Sequence, residues 1–159
     1  LILYDFGIHW FDFLTSILGN RIINVFASQN KAITQTVKPP LLSQCLVQLN
    51  QGQASLIFDG FTNFGTQDRT IITGTKGTII SVGPDLGKQK IEIYTRKGKS
   101  SPKLKGSWFN DGFHGAMGEL FSSIEEKRNP LNNAEDNLLS LKLTFAALES
   151  SKLNKIIKF

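Results

Sequence analysis

Hydrophobic positions near the start of the chain recur at helical spacing. Between residues 10 and 18 they lie three or four apart, which predicts a helix with a wide buried face. Gly19 supplies a C-terminal stop for that helix. Residues 1–4 are continuously apolar and predict the end of a strand, so we expect further sequence before Leu1.

The middle of the chain is patterned as β-structure. Runs rich in β-branched and aromatic residues predict strands at residues 22–28, 44–49, 54–59, 69–73, 78–82 and 90–95. Glycine-containing breaks at residues 50–53 and 74–77 predict tight hairpin turns. In the last run two isoleucines alternate with polar residues, which predicts a sheet with one face left open to solvent or a partner.

Helical spacing returns in the last third of the chain. Apolar residues from Phe113 to Ile124 predict one helix, which Asn110 or Asp111 can cap and which Asn129-Pro130 ends. A last helix is predicted over residues 134–152, with a short terminal strand at 156–157. Asn133 is its candidate cap, and its predicted buried stripe consists of Ala134, Leu138, Leu141, Phe145 and Leu148.

The order of these elements indicates the fold class. Strands followed by helices favour an α+β fold, with an open mixed, mostly antiparallel β-sheet and helices packed on one face. A length of 159 residues with 40% hydrophobic residues fits a single domain over residues 1–159. No apolar run approaches the roughly 20 residues of a membrane span, so we expect no membrane partner. The single cysteine, Cys45, lies in a predicted strand and favours a buried thiol and a reducing, cytoplasmic compartment.

The positive charge of the chain is concentrated in one segment. The net charge is +5, yet residues 88–105 hold seven basic residues against Glu92 alone. That segment carries +6, so the remainder sums to −1. A solvated hairpin and loop is the favoured interpretation, and a polyanion or nucleic-acid site is the alternative. We expect no nucleic-acid partner.

Asp5 and His9 form the most chemically suggestive pair in the chain. A spacing of four at the start of a helix brings both side chains to the same side. Histidine titrates near neutrality and can both take and return a proton, and Gly7 between them would let the backbone turn sharply. The alternative is that Asp5 only caps the helix while His9 packs in the core.

Other cofactor and metal patterns are absent from the sequence. His9, His114 and Cys45 have no metal-ligand spacing, and a divalent-ion site built from Asp5, His9 and Asp12 is disfavoured. The glycine turn at residues 74–77 lies between strands and lacks the helix N-terminus that a phosphate loop needs. We therefore expect no metal, and no cofactor site that this chain could build alone.

Residues 3–12, with Leu14 and Leu18-Gly19, resemble the D-x-G-x-H-x-x-D…L-x-G segment of the Gfo/Idh/MocA oxidoreductases. The turn at residues 72–79 is similar to the family's GTKGTI turn. The closing two-helix segment also resembles that family, at residues 113–120, Asn129-Pro130, 136–138 and 146–151. The matches are collinear and span nearly the whole chain.

This resemblance implies the C-terminal domain of a nucleotide-dependent sugar, polyol or inositol dehydrogenase, with a fold like that of glyceraldehyde-phosphate dehydrogenase C-terminal domains. In that family an N-terminal Rossmann domain binds NAD or NADP, and we expect that domain to lie outside this chain. The family's Glu-Lys-Pro motif belongs to the Rossmann domain. Glu126-Lys127-Arg128, expected within a helix, does not replace it.

The resemblance also implies roles for individual residues. His9 corresponds to the proton acceptor or donor at the substrate carbinol, and Asp5 to a substrate-positioning carboxylate. Asp111, Phe113 and His114, with Trp108 and Phe109 before them, are expected to line the substrate cleft. The open sheet face is the expected surface for a homodimer or tetramer.

The sequence thus predicts the substrate-binding and dimerisation domain of an NAD(P)-dependent oxidoreductase that acts on a CH–OH group. The isolated chain is expected to be inactive because the nucleotide site lies elsewhere. The alternative is a non-catalytic binding or dimerisation module that retains the same fold.

Overall fold

The computed structural model describes residues 2–159 and confirms the α+β class. Its helices are α1 (Gly7–Leu18), α2 (Trp108–Glu125) and α3 (Ala134–Leu153). Its strands are β1 (Ile22–Asn30), β2 (Leu42–Leu49), β3 (Gln53–Asp59), β4 (Asp68–Gly74), β5 (Gly77–Gly83), β6 (Lys90–Thr95), β7 (Gly98–Ser100) and β8 (Ile157–Lys158). Both predicted hairpin turns are present, between β2 and β3 and between β4 and β5.

The strands pair as two four-stranded sheets rather than one. Their orders are β3-β2-β1-β8 and β4-β5-β6-β7, and every pairing between the described strands is antiparallel. The predicted, mostly antiparallel pairing is confirmed, whereas one open sheet was expected and the described strands form two. Alternation within a strand reports which face is buried, but it carries no information about which strands are neighbours.

The first compact unit comprises Leu1–Phe61 and Asn132–Phe159. One face of its sheet is covered by α3, which packs on β1 and on α1. Alternate residues of β1 and β2 point into this interface, as the period of two requires. The buried apolar residues of the described chain all belong to this unit: Ile2, Leu3, Phe11, Ile22, Val25, Ala27, Cys45, Val47, Leu49, Phe58, Leu143, Ala146 and Ala147.

Residues Ile2–Phe6 form a π-helical turn that leads directly into α1, so the predicted strand end was wrong for them. Leu1 lies outside the described residues. Buried positions recur every four residues through Leu3, Gly7, Phe11 and Thr15. A short apolar run fits a strand or a buried helix equally well, and here the helical face of α1 extends backwards to include it.

The predicted buried stripe of α3 is also wrong. Leu138 and Phe145 are exposed, whereas the buried face carries Leu143, two alanines and several small hydroxyl residues. Small side chains let α3 approach α1 and β1 closely, and hydrogen bonds satisfy their hydroxyls. The Asn133 cap is confirmed, since its side chain accepts a hydrogen bond from the Asp136 amide at 3.0 Å.

The second compact unit, Thr62–Leu131, contains the meander β4–β7 and α2. Its apolar side chains are exposed or half-buried in the described structure. Gly77 is required where β5 meets β6, because a Cβ there would lie 2.2 Å from the Tyr94 carbonyl oxygen. α2 ends at Glu125, where Lys127 adopts a left-handed backbone with φ of 52°. Residues 126–128 therefore follow the helix rather than lying within it.

The basic segment forms the β6–β7 hairpin and the chain after it. Glu92 lies at its centre and pairs with Lys99 at 2.8 Å and with Lys90 at 3.0 Å. The Tyr94 hydroxyl donates to the same carboxylate at 2.7 Å. Hydrogen bonds from Lys99, Tyr94 and Lys90 lower the pKa of Glu92 to about 2. Two of the lysines are thus held by an internal anion, which fits the hairpin interpretation of this segment.

Cys45 is a buried structural thiol, as predicted. It lies on the covered face of β2, and desolvation raises the pKa of its thiol to about 12. Across residues 2–159, every helix is too short or too polar to span a bilayer.

Two leucines of α3 provide a matched test of this packing. Leu143 is fully buried and Leu138 is 62% exposed. We expect Leu143→Ala to lower the free energy of unfolding by about 2–5 kcal/mol, because it opens a cavity between α3 and the first sheet. Leu138→Ala should cost well under half as much in the same helix. Urea unfolding followed by circular dichroism measures both, and equal losses would contradict the observed rotation of α3.

Candidate active site

Asp5 and His9 lie one turn apart on the exposed side of the helical segment formed by Ile2–Phe6 and α1. The buried row through Leu3, Gly7 and Phe11 faces the core, so this geometry directs the carboxylate and the imidazole away from it. Within residues 2–159 neither side chain makes a hydrogen bond or an ion pair. An acid/base pair left open in this way is accessible to a ligand.

Both alternatives for this pair are contradicted by the structure. The N-cap of α1 is Phe6, which has no side-chain capping bond, and Asp5 lies inside the preceding π-helical turn. His9 is exposed, so it is not a core histidine. Neither residue has an evident structural role that would account for its presence here.

Gly7 serves close packing rather than a sharp turn. Its backbone is helical, and a Cβ at this position would lie 3.3 Å from the Ile2 carbonyl oxygen. The rings of Phe11 and Phe58 would lie 3.5 and 3.6 Å from that Cβ. The missing side chain therefore lets the Asp5–His9 segment lie directly on the core.

Aromatic rings surround the base of this segment. Phe6 stacks on Trp10 with centroids 4.5 Å apart, and Phe58 meets both rings edge-on at 6.2 Å. Trp10 also meets the His9 imidazole in a T-shaped arrangement at 6.5 Å. These contacts restrict the start of α1 and place an apolar surface beside the imidazole.

Asp12, the last acidic residue of the motif, is tied to α3. Its Oδ1 accepts a hydrogen bond from the Ser140 hydroxyl at 2.6 Å. The Ser140 hydroxyl also lies 2.9 Å from Thr15 Oγ1, which in turn donates to the Asp12 carbonyl at 3.0 Å. Asp12 therefore has a partner within the fold, and no group of three His, Cys, Asp or Glu side chains in residues 2–159 is arranged to hold a metal ion.

Sequence reasoning missed this network because its members are 125 and 128 positions apart in the chain. The available signal was the placement of Ser140 and Thr144 one turn apart among the leucines and alanines in the middle of the helix. Small hydroxyl residues at helical spacing indicate a close, hydrogen-bonded contact. The Thr144 hydroxyl bonds back to the Ser140 carbonyl at 2.8 Å, as such residues do in helix interiors.

The second set of predicted site residues lies at the start of α2, in the second unit. Asp111 accepts hydrogen bonds from the Ser107 amide and from the Ser107 hydroxyl, the latter at 3.0 Å. These bonds, with the amide contributing most, lower the pKa of the Asp111 carboxyl. The N-cap of α2 is Ser107, so the prediction that Asn110 or Asp111 caps this helix was wrong. Asp111 instead lies inside the first turns of α2 and accepts hydrogen bonds from the N-cap residue.

Phe113 and His114 line an open depression on α2 of about 370 Å³, together with Met117, Gly118 and Phe121. Phe109 stacks on Phe113 with centroids 6.3 Å apart, and Trp108 is half exposed. The predicted site residues therefore form two clusters. Asp5 and His9 belong to the first unit, whereas Asp111, Phe113 and His114 belong to the second.

The chain is similar in fold to solved structures of oxidoreductases and dehydrogenases. An oxidoreductase from Agrobacterium radiobacter, in complex with NAD⁺, L-tartaric acid and magnesium, is 20% identical with a TM-score of 0.81. The WlbA dehydrogenase from Bordetella pertussis, in complex with NADH and UDP-GlcNAcA, is 15% identical with a TM-score of 0.75. The aldose-aldose oxidoreductase from Caulobacter crescentus, complexed with glycerol, is 16% identical with a TM-score of 0.78.

Each comparison covers 99% of this chain but only 48%, 44% and 47% of the other chain, respectively. The chain thus spans about half the length of these proteins. A search of curated proteins finds no match. The family model of the GFO/IDH/MocA C-terminal domain matches residues 1–80, half of the chain, including the Asp5–His9 segment and the glycine turn. The chain therefore belongs to the Gfo/Idh/MocA oxidoreductase family, through its C-terminal domain.

Proposed function

We propose that this chain is the substrate-binding domain of an NAD(P)-dependent oxidoreductase that acts on a CH–OH group of a sugar, polyol or inositol-like substrate. The observation that carries the proposal is the exposed Asp5–His9 pair, presented on one helical side within the segment that the family model matches. Neither side chain makes a hydrogen bond or an ion pair within residues 2–159, so both can bind substrate.

In this proposal His9 moves the proton of the reacting hydroxyl. Its imidazole accepts the proton as the alcohol is oxidised and returns it in the reverse direction, a contribution of roughly 10²–10⁴-fold to the rate. Asp5, one turn earlier, accepts a hydrogen bond from a substrate hydroxyl and holds the carbinol near the imidazole. The packed rings of Phe6, Trp10 and Phe58 lie beneath this segment and limit the motion of both groups.

The nicotinamide cofactor, NAD or NADP, supplies the hydride chemistry when bound. The glycine turn of the described residues is not suited to bind the phosphates of a nucleotide. The glycine turn joins β4 to β5 and has no helix N-terminus behind it. We propose that a Rossmann domain outside this chain binds the nucleotide. The complexes of two similar structures with NAD⁺ and NADH support a nicotinamide cofactor.

The ligands of similar structures also support the proposed substrate class. Three similar structures were solved with L-tartaric acid, UDP-GlcNAcA or glycerol. We propose that Asp111, Phe113 and His114 contribute to the substrate cleft from the start of α2. Phe113 is exposed at the helix surface, and His114 lies beside it in the depression.

The role of His9 is tested in the full-length protein that contains this chain. His9→Ala should lower kcat/KM by about 10²–10⁴-fold, because it removes the group that moves the hydroxyl proton. Its Tm should stay near the wild-type value, because the side chain is exposed. Steady-state assays with NAD⁺, NADP⁺ and a panel of polyols and sugars measure the rate, and calorimetry measures the Tm.

A matched control is Ser16→Ala, which alters the exposed side of α1 two turns beyond His9. Its Oγ bonds only to the Phe13 carbonyl among the described contacts, so its rate should stay within about twofold of wild type. If His9→Ala also retains a near-normal rate, the catalytic assignment is wrong and a non-catalytic module with this fold becomes the better account.

The isolated chain should show no turnover, because the nucleotide site is proposed to lie in another domain. The purified 159-residue chain, with its fold verified by circular dichroism, is assayed with NAD(H) or NADP(H) and the same substrate panel. The full-length protein is the positive control. Robust turnover by the isolated chain would contradict the proposal that the nucleotide site lies in another domain.

We further propose a homodimer or tetramer that forms through the open sheet face. In the first sheet the side opposite α3 carries Leu46 and Ile57, which are 59% and 73% exposed. Such side chains are more readily explained by a partner surface than by solvent.

Replacing Leu46 and Ile57 together by aspartate should reduce the molar mass of the full-length protein, measured by light scattering, to that of a monomer. Desolvating carboxylates at the interface would oppose association. Ser55→Asp on the neighbouring β3 position, which lies across from Leu46, tests whether any charge on this face has the same effect. A wild-type protein that is monomeric at all concentrations would contradict the proposal.

A further inference from the structure

We infer that Ser140, through the Asp12 carboxylate, is a positioning residue for His9. The inference rests on the proposed function, because it assigns a role relative to the proposed proton-transfer group. It concerns a contact between two helices of the same compact unit, and the role of Ser140 does not follow from the motif that carries Asp5 and His9.

The placement of Asp12 on α1 is the first step. Asp5, His9 and Asp12 are separated by four and three residues, so they share one side of the helical segment. Asp12 therefore lies one turn beyond His9 on the same side. Anything that holds the Asp12 carboxylate also sets the rotation of the turn that presents the imidazole.

The bond to Ser140 is the second step. At 2.6 Å from Ser140 Oγ to Asp12 Oδ1, this is a short hydrogen bond to an ionised acceptor, the stronger class of such bonds. Ser140 is 1% exposed and belongs to α3, which packs on the first sheet. The bond thus connects the motif-bearing side of α1 to a rigid part of the core.

The remaining hydroxyl of the network strengthens the same connection. Thr15 Oγ1 lies within hydrogen-bond distance of both Ser140 Oγ and the Asp12 carbonyl. The hydroxyls of Ser140 and Thr15 have one hydrogen each, and these two hydrogens serve three oxygen–oxygen contacts. The Asp12 carboxylate is the strongest acceptor, so Ser140 donates its hydrogen to it. Thr15 then shares its hydrogen between the Asp12 carbonyl and Ser140 Oγ. The arrangement has one favoured orientation for Ser140, and that orientation points at Asp12.

Apolar packing alone does not determine this rotation. The buried row of α1 contains Gly7 and Thr15 besides Phe11, so the large side chain that fixes the middle of the helix is Phe11. The partly buried side chains of α1 that also pack on the core make apolar contacts, which are non-directional and permit small rotations. Displacement of a catalytic group by about 1 Å can reduce the rate by about 10²-fold, so a polar clamp beside His9 has a catalytic consequence.

The test compares variants in the full-length enzyme. Ser140→Ala should lower kcat by about 10- to 100-fold while KM changes by less than about threefold, because proton transfer depends more steeply on geometry than substrate binding does. Asp12→Ala should show the same pattern. Asp12→Asn keeps an oxygen that accepts the Ser140 hydrogen bond, so it should retain at least about a third of wild-type kcat.

Leu143→Ala is the control for destabilisation. It removes a buried side chain from the same helix, one turn from Ser140, without touching Asp12. Assayed well below its Tm, it should keep kcat within about threefold of wild type. The positioning role is overturned if Ser140→Ala leaves kcat unchanged, or if Leu143→Ala lowers kcat as much as Ser140→Ala does.

The outcome for His9→Ala separates this inference from the proposed function. If His9→Ala abolishes turnover and Ser140→Ala does not affect it, the positioning role fails and the proposed function stands. If His9→Ala is itself near-normal, the proposed function fails, and with it the basis for assigning Ser140 a role in catalysis.

Discussion

The contact between α1 and α3 is the interaction on which the first unit of this protein depends. Phe11 of α1 and Leu143 of α3 are fully inaccessible to solvent, and α3 in turn covers β1. Burial of two such side chains contributes about 3–6 kcal/mol, which is a large part of the net stability of a small domain. The candidate site lies on the solvent-exposed side of α1, so the packing that stabilises the unit also presents Asp5 and His9.

This contact combines apolar burial with a polar network, and the two have different effects. Apolar packing is non-directional and tolerates small rotations. The bonds among Asp12, Thr15 and Ser140 are directional and specify one arrangement. A catalytic group whose distance to substrate matters to a fraction of an ångström benefits from the second kind of restraint.

The two compact units differ in how they use their apolar residues. The first unit has a buried core, whereas the second leaves the apolar side of α2 and parts of its meander exposed. Exposed apolar surfaces of this kind are typical of interaction sites. The first sheet also has an exposed apolar surface, since its uncovered side carries Leu46 and Ile57.

The sequence by itself determined the kinds of elements, their order and the residues of the Asp5–His9 pair. Sequence patterns identified α1, seven of the eight strands and both later helices, because alternating and helical patterns are local properties of the chain. Tertiary structure decided which faces were buried. The predicted stripe through Leu138 and Phe145 is exposed because small hydroxyl residues let α3 approach α1 more closely, and the run before Phe6 is helical because its side chains continue the buried row of α1. It also divided the strands into two sheets and joined Asp12 to Ser140, because both depend on contacts between distant parts of the chain that no local pattern encodes.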